Sequence, residues 1–151
     1  MPANIIKREK EIKSVWFAPQ FSSTYGEYRV RNIGVDGAWN FTFGIPIETS
    51  EIVNILFYAI NDSGSSGNQT FIFNTTYGAI GERGDNHSES GISVTVDIQN
   101  NINIYSTSIY KSDAGGLLFA NLNAGDMAGV EVDLPAGISS RALGIMVRYK
   151  A

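Results

Sequence analysis

From Gly91 to Ile98 apolar and polar residues alternate without a break, with Ile92, Val94, Val96 and Ile98 set against Ser93, Thr95 and Asp97. Successive side chains of an extended chain leave opposite faces, so this segment specifies a strand with one buried and one wet face. No stretch keeps apolar residues at i, i+3, i+4 and i+7 for three turns, which excludes a helical core layer.

Similar patterns, rich in β-branched and aromatic residues, predict strands over Tyr28 to Val35, Ala38 to Ile45, Ile52 to Ile60, Gln69 to Tyr77, Ile102 to Tyr110, Gly116 to Ala120, Met127 to Val132 and Arg141 to Lys150. Asp36-Gly37 suits a two-residue turn and predicts that its flanking strands pair as a hairpin. Ile55 to Ala59 is continuously apolar, as expected of an interior strand rather than an edge. In the last strand Leu143, Ile145 and Val147 are expected on one face, with Gly144 marking a bend or a close backbone approach. Asn61 to Asn68 reads as a flexible exposed loop. About eight or nine strands at this spacing predict an all-β fold, a two-sheet antiparallel β-sandwich of jelly-roll type.

A chain of 151 residues with 43% hydrophobic content is one domain able to build its own core. The absence of cysteine removes thiolate catalysis, iron-sulfur clusters, thiolate zinc sites and disulfides together. Residues 1–13 hold four cations, Lys7, Arg8, Lys10 and Lys13, against two anions, and the rest holds seven cations against thirteen anions. A basic arm over 1–13 therefore precedes an acidic β-sandwich domain over 14–151, and those four cations are the candidate partner contacts. No apolar run is long enough for a membrane-spanning helix and the start is charged, so the expectation is a soluble, unexported chain with no membrane or nucleic-acid partner. Asn-x-Ser/Thr triplets start at Asn40, Asn61, Asn68, Asn74 and Asn86, and chance explains them in a chain rich in Asn and Ser.

Catalytic chemistry has little to work with. His87 is the only histidine; it excludes multi-histidine metal sites and leaves one imidazole base, in Gly81 to Ser90. Ser88, Ser90 and Asp85 are nearby in sequence, but a polar loop does not position a triad and no Gly-x-Ser-x-Gly elbow exists. A solvated loop histidine is the preferred reading, and a hydrolase centred on His87 the weakest functional class. Glu82, Asp85, Asn86 and Glu89 offer calcium oxygens without EF-hand spacing. Arg83-Gly84-Asp85 is an adhesion tripeptide too short to carry a function. Glu131 and Asp133 share a strand face and either repel or share a cation, with no third ligand in sequence. No cofactor, catalytic residue or metal site is expected, and the chain is expected not to be an enzyme.

Trp39, Phe41 and Phe43 share one strand face, and Phe71, Phe73 and Tyr77 another, as two inner faces filling a sandwich core would. Core packing is preferred to a ligand platform. Residues 14 to 149 nonetheless resemble small jelly-roll virion structural proteins of phages. The resemblance is carried by Trp39-x-Phe-x-Phe-Gly-Ile-Pro46, the strand Ile52 to Ala59, the turn Leu122-Asn-Ala-Gly-Asp-Met127 and the closing Arg141 to Tyr149. It implies a non-enzymatic viral (phage) structural protein, a capsid decoration or cement protein or a tail or fibre appendage. It further implies a homo-oligomer, a trimer above all, that contacts the major capsid protein and resides in the virion after assembly in the host cytoplasm. The alternative is a carbohydrate-binding β-sandwich or adhesin that uses loop-borne Tyr and Asn, with Tyr25 and Tyr77 as the tyrosines whose loss would tell.

Overall fold

The computed structural model describes residues 10–19, 23–33, 38–111 and 117–151. Ten strands run in order: β1 (Ile12–Phe17), β2 (Ser23–Tyr25), β3 (Tyr28–Ile33), β4 (Ala38–Gly44), β5 (Glu51–Asn61), β6 (Gly67–Gly78), β7 (His87–Ile98), β8 (Ile104–Ser108), β9 (Met127–Asp133) and β10 (Ser140–Lys150). They form a two-sheet, all-antiparallel β-sandwich of jelly-roll-like type. One sheet has six strands in the order β2-β3-β10-β5-β8, with β1 also paired to β10, and the other has four in the order β4-β9-β6-β7.

Why these strands separate into two sheets follows from their aromatic faces. Trp39, Phe41 and Phe43 of β4 and Phe71, Phe73 and Tyr77 of β6 are buried, and they meet Ile55, Phe57, Ala59, Ile145 and Val147 of the six-stranded sheet in one core. The Trp39 and Phe57 rings lie 4.9 Å apart across the sandwich, and the Phe71 and Tyr105 rings 6.4 Å apart. Burying side chains of this size contributes about 2 kcal/mol or more each, so the aromatic segments set the partition into sheets.

That partition overturns the expected hairpin. β3 pairs with β2 and β10, whereas β4 pairs with β9, so the connection between them crosses from one sheet to the other. Asp36 and Gly37 themselves lie outside the described residues. The expected strand Gly116 to Ala120 is also absent over 117–120, where the chain makes a turn with Phe119 at a φ of 51°. Leu118 and Phe119 are buried there as a plug in the core, so apolarity signalled burial and not extension. β1 begins at Ile12, which makes Lys13 a strand residue opposite Tyr149. Lys10 is exposed, and Lys7 and Arg8 lie outside the described residues.

Three bulges shift the alternation. Between β6 and β7, Phe73 faces Ile92 while Thr75 faces Glu89, so β7 carries an extra residue. Gly91, at a φ of 66°, takes up the backbone conformation this requires. In β10 the extra residue is Leu143, between Ala142 and Gly144, and in β5 it is Val53. Ala142, and not Leu143, therefore joins Ile145 and Val147 in the core.

The expected flexible loop after β5 is instead tied down by one side chain. Asn61 is fully buried; its Nδ2 donates to the Ser65 and Gln99 carbonyls at 2.7 Å each, and its Oδ1 accepts from the Ser63 N–H and hydroxyl at 3.0 and 2.7 Å. All four hydrogen-bonding positions of this amide are used.

Candidate functional site

The outer face of the four-stranded sheet holds a shallow depression of about 810 Å³, walled by Ala18 on one side and Asp85 of the β6–β7 loop on the other. Its floor follows from register. Asn40 lies opposite Glu131, Glu131 opposite Asn74, and Asn74 beside Ser90 at the bulge, which makes one polar rung across all four strands. Thr42, Gly129, Thr76 and Ser88 make the next rung. Each of these residues alternates with a core residue, so the same pattern that fills the sandwich projects hydroxyls, amides and a carboxylate outward.

Asn74 orders this surface. Its Oδ1 accepts from the Gly91 N–H at 2.8 Å, which fixes its Nδ2 toward Glu131 Oε1 at 3.1 Å and Asp133 Oδ2 at 3.5 Å. The Glu131 and Asp133 carboxylates thus share the Asn74 amide as a donor. Among the described residues no group of three or more His, Asp or Glu side chains converges as a metal site. The hydroxyls of Thr42, Thr76, Ser88 and Ser90 have no partner among the described residues and point to solvent. Gly129 places no side chain at the centre, and the floor is lowest there.

Beneath the depression lies a second, inward network. Glu89 is brought inside by the bulge: its Oε1 accepts from Thr75 Oγ1 at 2.5 Å and from the Phe119 N–H at 2.7 Å, and its Oε2 accepts from the Tyr77 hydroxyl at 2.7 Å. The Tyr77 oxygen in turn accepts from the Asn121 N–H at 3.0 Å. Burial, reinforced by the bond to Glu89, pushes the Tyr77 phenol up to about 12. One carboxylate thereby ties β6, β7 and the Leu118–Phe119 turn together.

Several residues singled out in the sequence fall elsewhere than expected. His87 is in β7, not in a solvated loop, and stacks on Tyr77 with ring centroids 5.2 Å apart. Ser88 and Ser90 leave the opposite face of that strand, and Asp85 is engaged with Arg83 at 3.0 Å. No Ser-His-acid constellation therefore forms among the described residues. The four calcium candidates do not converge on one point either: Glu82 accepts from the Ala79 N–H and the Asn86 amide, Asp85 is engaged by Arg83, and Glu89 turns inward. Tyr77 is fully buried and is unavailable to a glycan, while Tyr25 lies under the Arg141 guanidinium at 4.7 Å.

Charge also divides by sheet. The six-stranded sheet carries Lys13, Arg29, Arg31, Arg141, Arg148 and Lys150 with Glu51 as its one acid, whereas β4, β6, β7 and β9 carry no Lys or Arg and hold Glu89, Asp97, Glu131 and Asp133. Sequence order hides this, because each sheet draws strands from all along the chain.

No family model and no curated protein matches this chain. Among solved structures it is similar to the TmCBM61 module in complex with β-1,4-galactotriose, at 13% identity and a TM-score of 0.41 over 93% of this chain and 82% of that one. It is likewise similar to the CBM36-1 domain of a multidomain xylanase from the hindgut metagenome of Trinervitermes trinervoides, at 11% identity and a TM-score of 0.41 over 93% of this chain and 98% of that one. Likeness at this level assigns no ligand or site to the present chain.

These matches are to carbohydrate-binding modules and not to virion proteins, and they correct the phage resemblance. With it fall the capsid decoration or appendage role, the trimer on a shell, the major capsid protein as partner and the virion location. The motifs behind the resemblance are accounted for by packing. Trp39, Phe41 and Phe43 are core, Asp126 Oδ2 accepts from the Asn123 N–H at 2.8 Å to close the 122–127 turn, and Arg141 to Tyr149 is the central strand of the larger sheet.

Proposed function

We propose that the protein is a non-catalytic carbohydrate-binding module whose site is the outer depression of the four-stranded sheet. The observation that supports this most directly is the pair of polar rungs: two amides, four hydroxyls and one carboxylate on one open floor, on strands that carry no Lys or Arg. A sugar presents several hydroxyls that each donate and accept, and Asn, Ser, Thr and Glu side chains match that dual demand. The lack of cations disfavours phosphate and nucleic acid at this face. Four strands span about 14 Å and the two rungs lie about 7 Å apart, an area suited to two or three sugar rings of a neutral chain.

A panel of neutral oligosaccharides that includes β-1,4-galactotriose, followed by calorimetry on any hit, tests the reading. Gly129→Val is the diagnostic variant. A Cβ at Gly129 meets only ordinary contacts, the nearest being Thr76 Oγ1 at 3.4 Å, so the strand tolerates the change while the floor is raised. Binding by the parent that is lost in Gly129→Val is expected. Failure of the whole panel, or unchanged binding in the variant, overturns the assignment.

A further inference from the structure

The opposite outer face has a different chemistry. Trp16 of β1 projects from it and stays 45% exposed. Its indole lies over Gly144, since a Cβ built there would fall 2.5 and 2.8 Å from two ring atoms. Tyr58 flanks it with ring centroids 5.4 Å apart. A glycine beneath and a tyrosine beside hold the indole as a fixed platform, whose electron-rich face attracts polarised C–H groups.

Ser14, one rung from Trp16 on the same face, lies opposite Arg148; from the indole's place over Gly144, Arg148 is four residues along β10, about 13 Å. Lys150 is engaged by Glu51 at 3.6 Å, and Arg141 by Asp62 at 3.3 Å. Arg148 alone of these three β10 cations has no ion-pair partner among the described residues. The guanidinium is a planar fork that matches a carboxylate with two parallel hydrogen bonds.

We propose that Trp16 and Arg148 form a second binding site, for neighbouring carboxylate-bearing units of an acidic polysaccharide. One ring stacks on the indole, the carboxylate of a neighbouring unit pairs with Arg148, and the Ser14 hydroxyl, on the same face, bonds a sugar hydroxyl. One unpaired cation per platform suits one carboxylate per sugar. A nucleic-acid strand would instead want a row of unengaged cations along its phosphates, whereas on β10 Arg141 and Lys150 are already engaged by Asp62 and Glu51.

Retardation of the protein in gels containing polygalacturonate, with neutral galactan and oligodeoxythymidine as parallel probes, reads the site directly. The parent is expected to be retarded by polygalacturonate, and Arg148→Gln to weaken the effect about tenfold, as loss of one charge-assisted pair would. Trp16→Ala is expected to weaken it as well, with Gly129→Val unchanged. Arg148 is half-buried, and an unaltered melting temperature for Arg148→Gln separates lost contact from lost fold. Retention of binding in Arg148→Gln, loss of binding in Gly129→Val, no retardation by polygalacturonate, or retardation by oligodeoxythymidine alone overturns the proposal. The neutral-sugar site stands or falls separately on its own panel.

Discussion

The two sheets share one core but differ in what they show to solvent. The four-stranded sheet turns out Asn40, Thr42, Asn74, Thr76, Ser88, Ser90 and Glu131 around a bare glycine, while the six-stranded sheet turns out Trp16, Tyr58 and the cations of β10. Because inner faces are constrained by packing and outer faces are not, each sheet can hold its own surface chemistry without disturbing the other. The difference shows where function can reside in a fold whose alternation is otherwise devoted to the core.

The largest expected effect separates two glutamates of the smaller sheet. Glu89→Ala leaves the Tyr77 hydroxyl, the Thr75 hydroxyl and the Phe119 N–H without their acceptor, all three in fully or nearly fully buried residues. Its expected cost is about 3 kcal/mol. Glu131→Ala removes a carboxylate from the outer face and is expected to change stability by less than about 1 kcal/mol while weakening sugar binding. Denaturant titration of both variants checks the contrast, and equal losses would erase the distinction between inner and outer networks.

Next come the two glycines. Gly144→Ala places a methyl against the Trp16 ring and 2.6 Å from the Phe17 carbonyl oxygen, at a φ of 151° that other residues rarely adopt. It is expected to cost about 2 kcal/mol. Gly129→Ala, in open strand geometry, is expected to be neutral or slightly stabilising. Thermal melts of the pair test whether the larger sheet's face depends on its glycine for structure and the smaller one's only for shape.

A smaller contrast concerns one buried phenol in each sheet. Among the described residues the Tyr105 hydroxyl bonds only the Ser140 hydroxyl, at 2.5 Å, and burial pushes it up to about 12; the Tyr77 hydroxyl serves two partners and is raised as far. Tyr77→Phe is therefore expected to cost somewhat more than Tyr105→Phe, each about 1 kcal/mol or slightly above. The linkage has a definite sign. Both phenols hold their proton to higher pH in the folded chain than in the unfolded one, so their contribution is complete below about pH 10 and is lost as pH rises through about 12. A melting temperature that falls across that window, less steeply in each Phe variant, is expected. At the acid end, a backbone hydrogen bond and the bond from Tyr149 hold the exposed Glu48 carboxyl below its usual range. Its contribution is present above that range and fades as pH falls through its lowered value.

Much of the sandwich was legible because burial writes a period of two. The aromatic triplets of β4 and β6 announced the core face directly, and β5 lies between β10 and β8, away from an edge, as its apolar run implied. What misled was phase and partnership. Leu143 reads as core by alternation until the bulge moves Ala142 into that place. His87 and Glu89 read as loop because Gly91 interrupts the pattern at the point where the strand continues past it. The candidate site was not legible at all. Its seven polar side chains come from four strands of which only β6 and β7 are consecutive, and only the order β4-β9-β6-β7 makes them one surface. Trp16 was visible as an aromatic, but nothing in the sequence told its exposed setting from that of Trp39.

The bulges in β5, β7 and β10 also bear on how such a chain can vary. Elsewhere in a strand, adding or dropping one residue turns every following core side chain to solvent. At Val53, Gly91 and Leu143 the sheet already accommodates one residue more than its partner strand needs, so removing it restores regular pairing with each flanking side chain on its present face. Length differences between descendants of this chain can therefore arise inside its sheets at these three points, and not only in the loops where gaps are ordinarily sought.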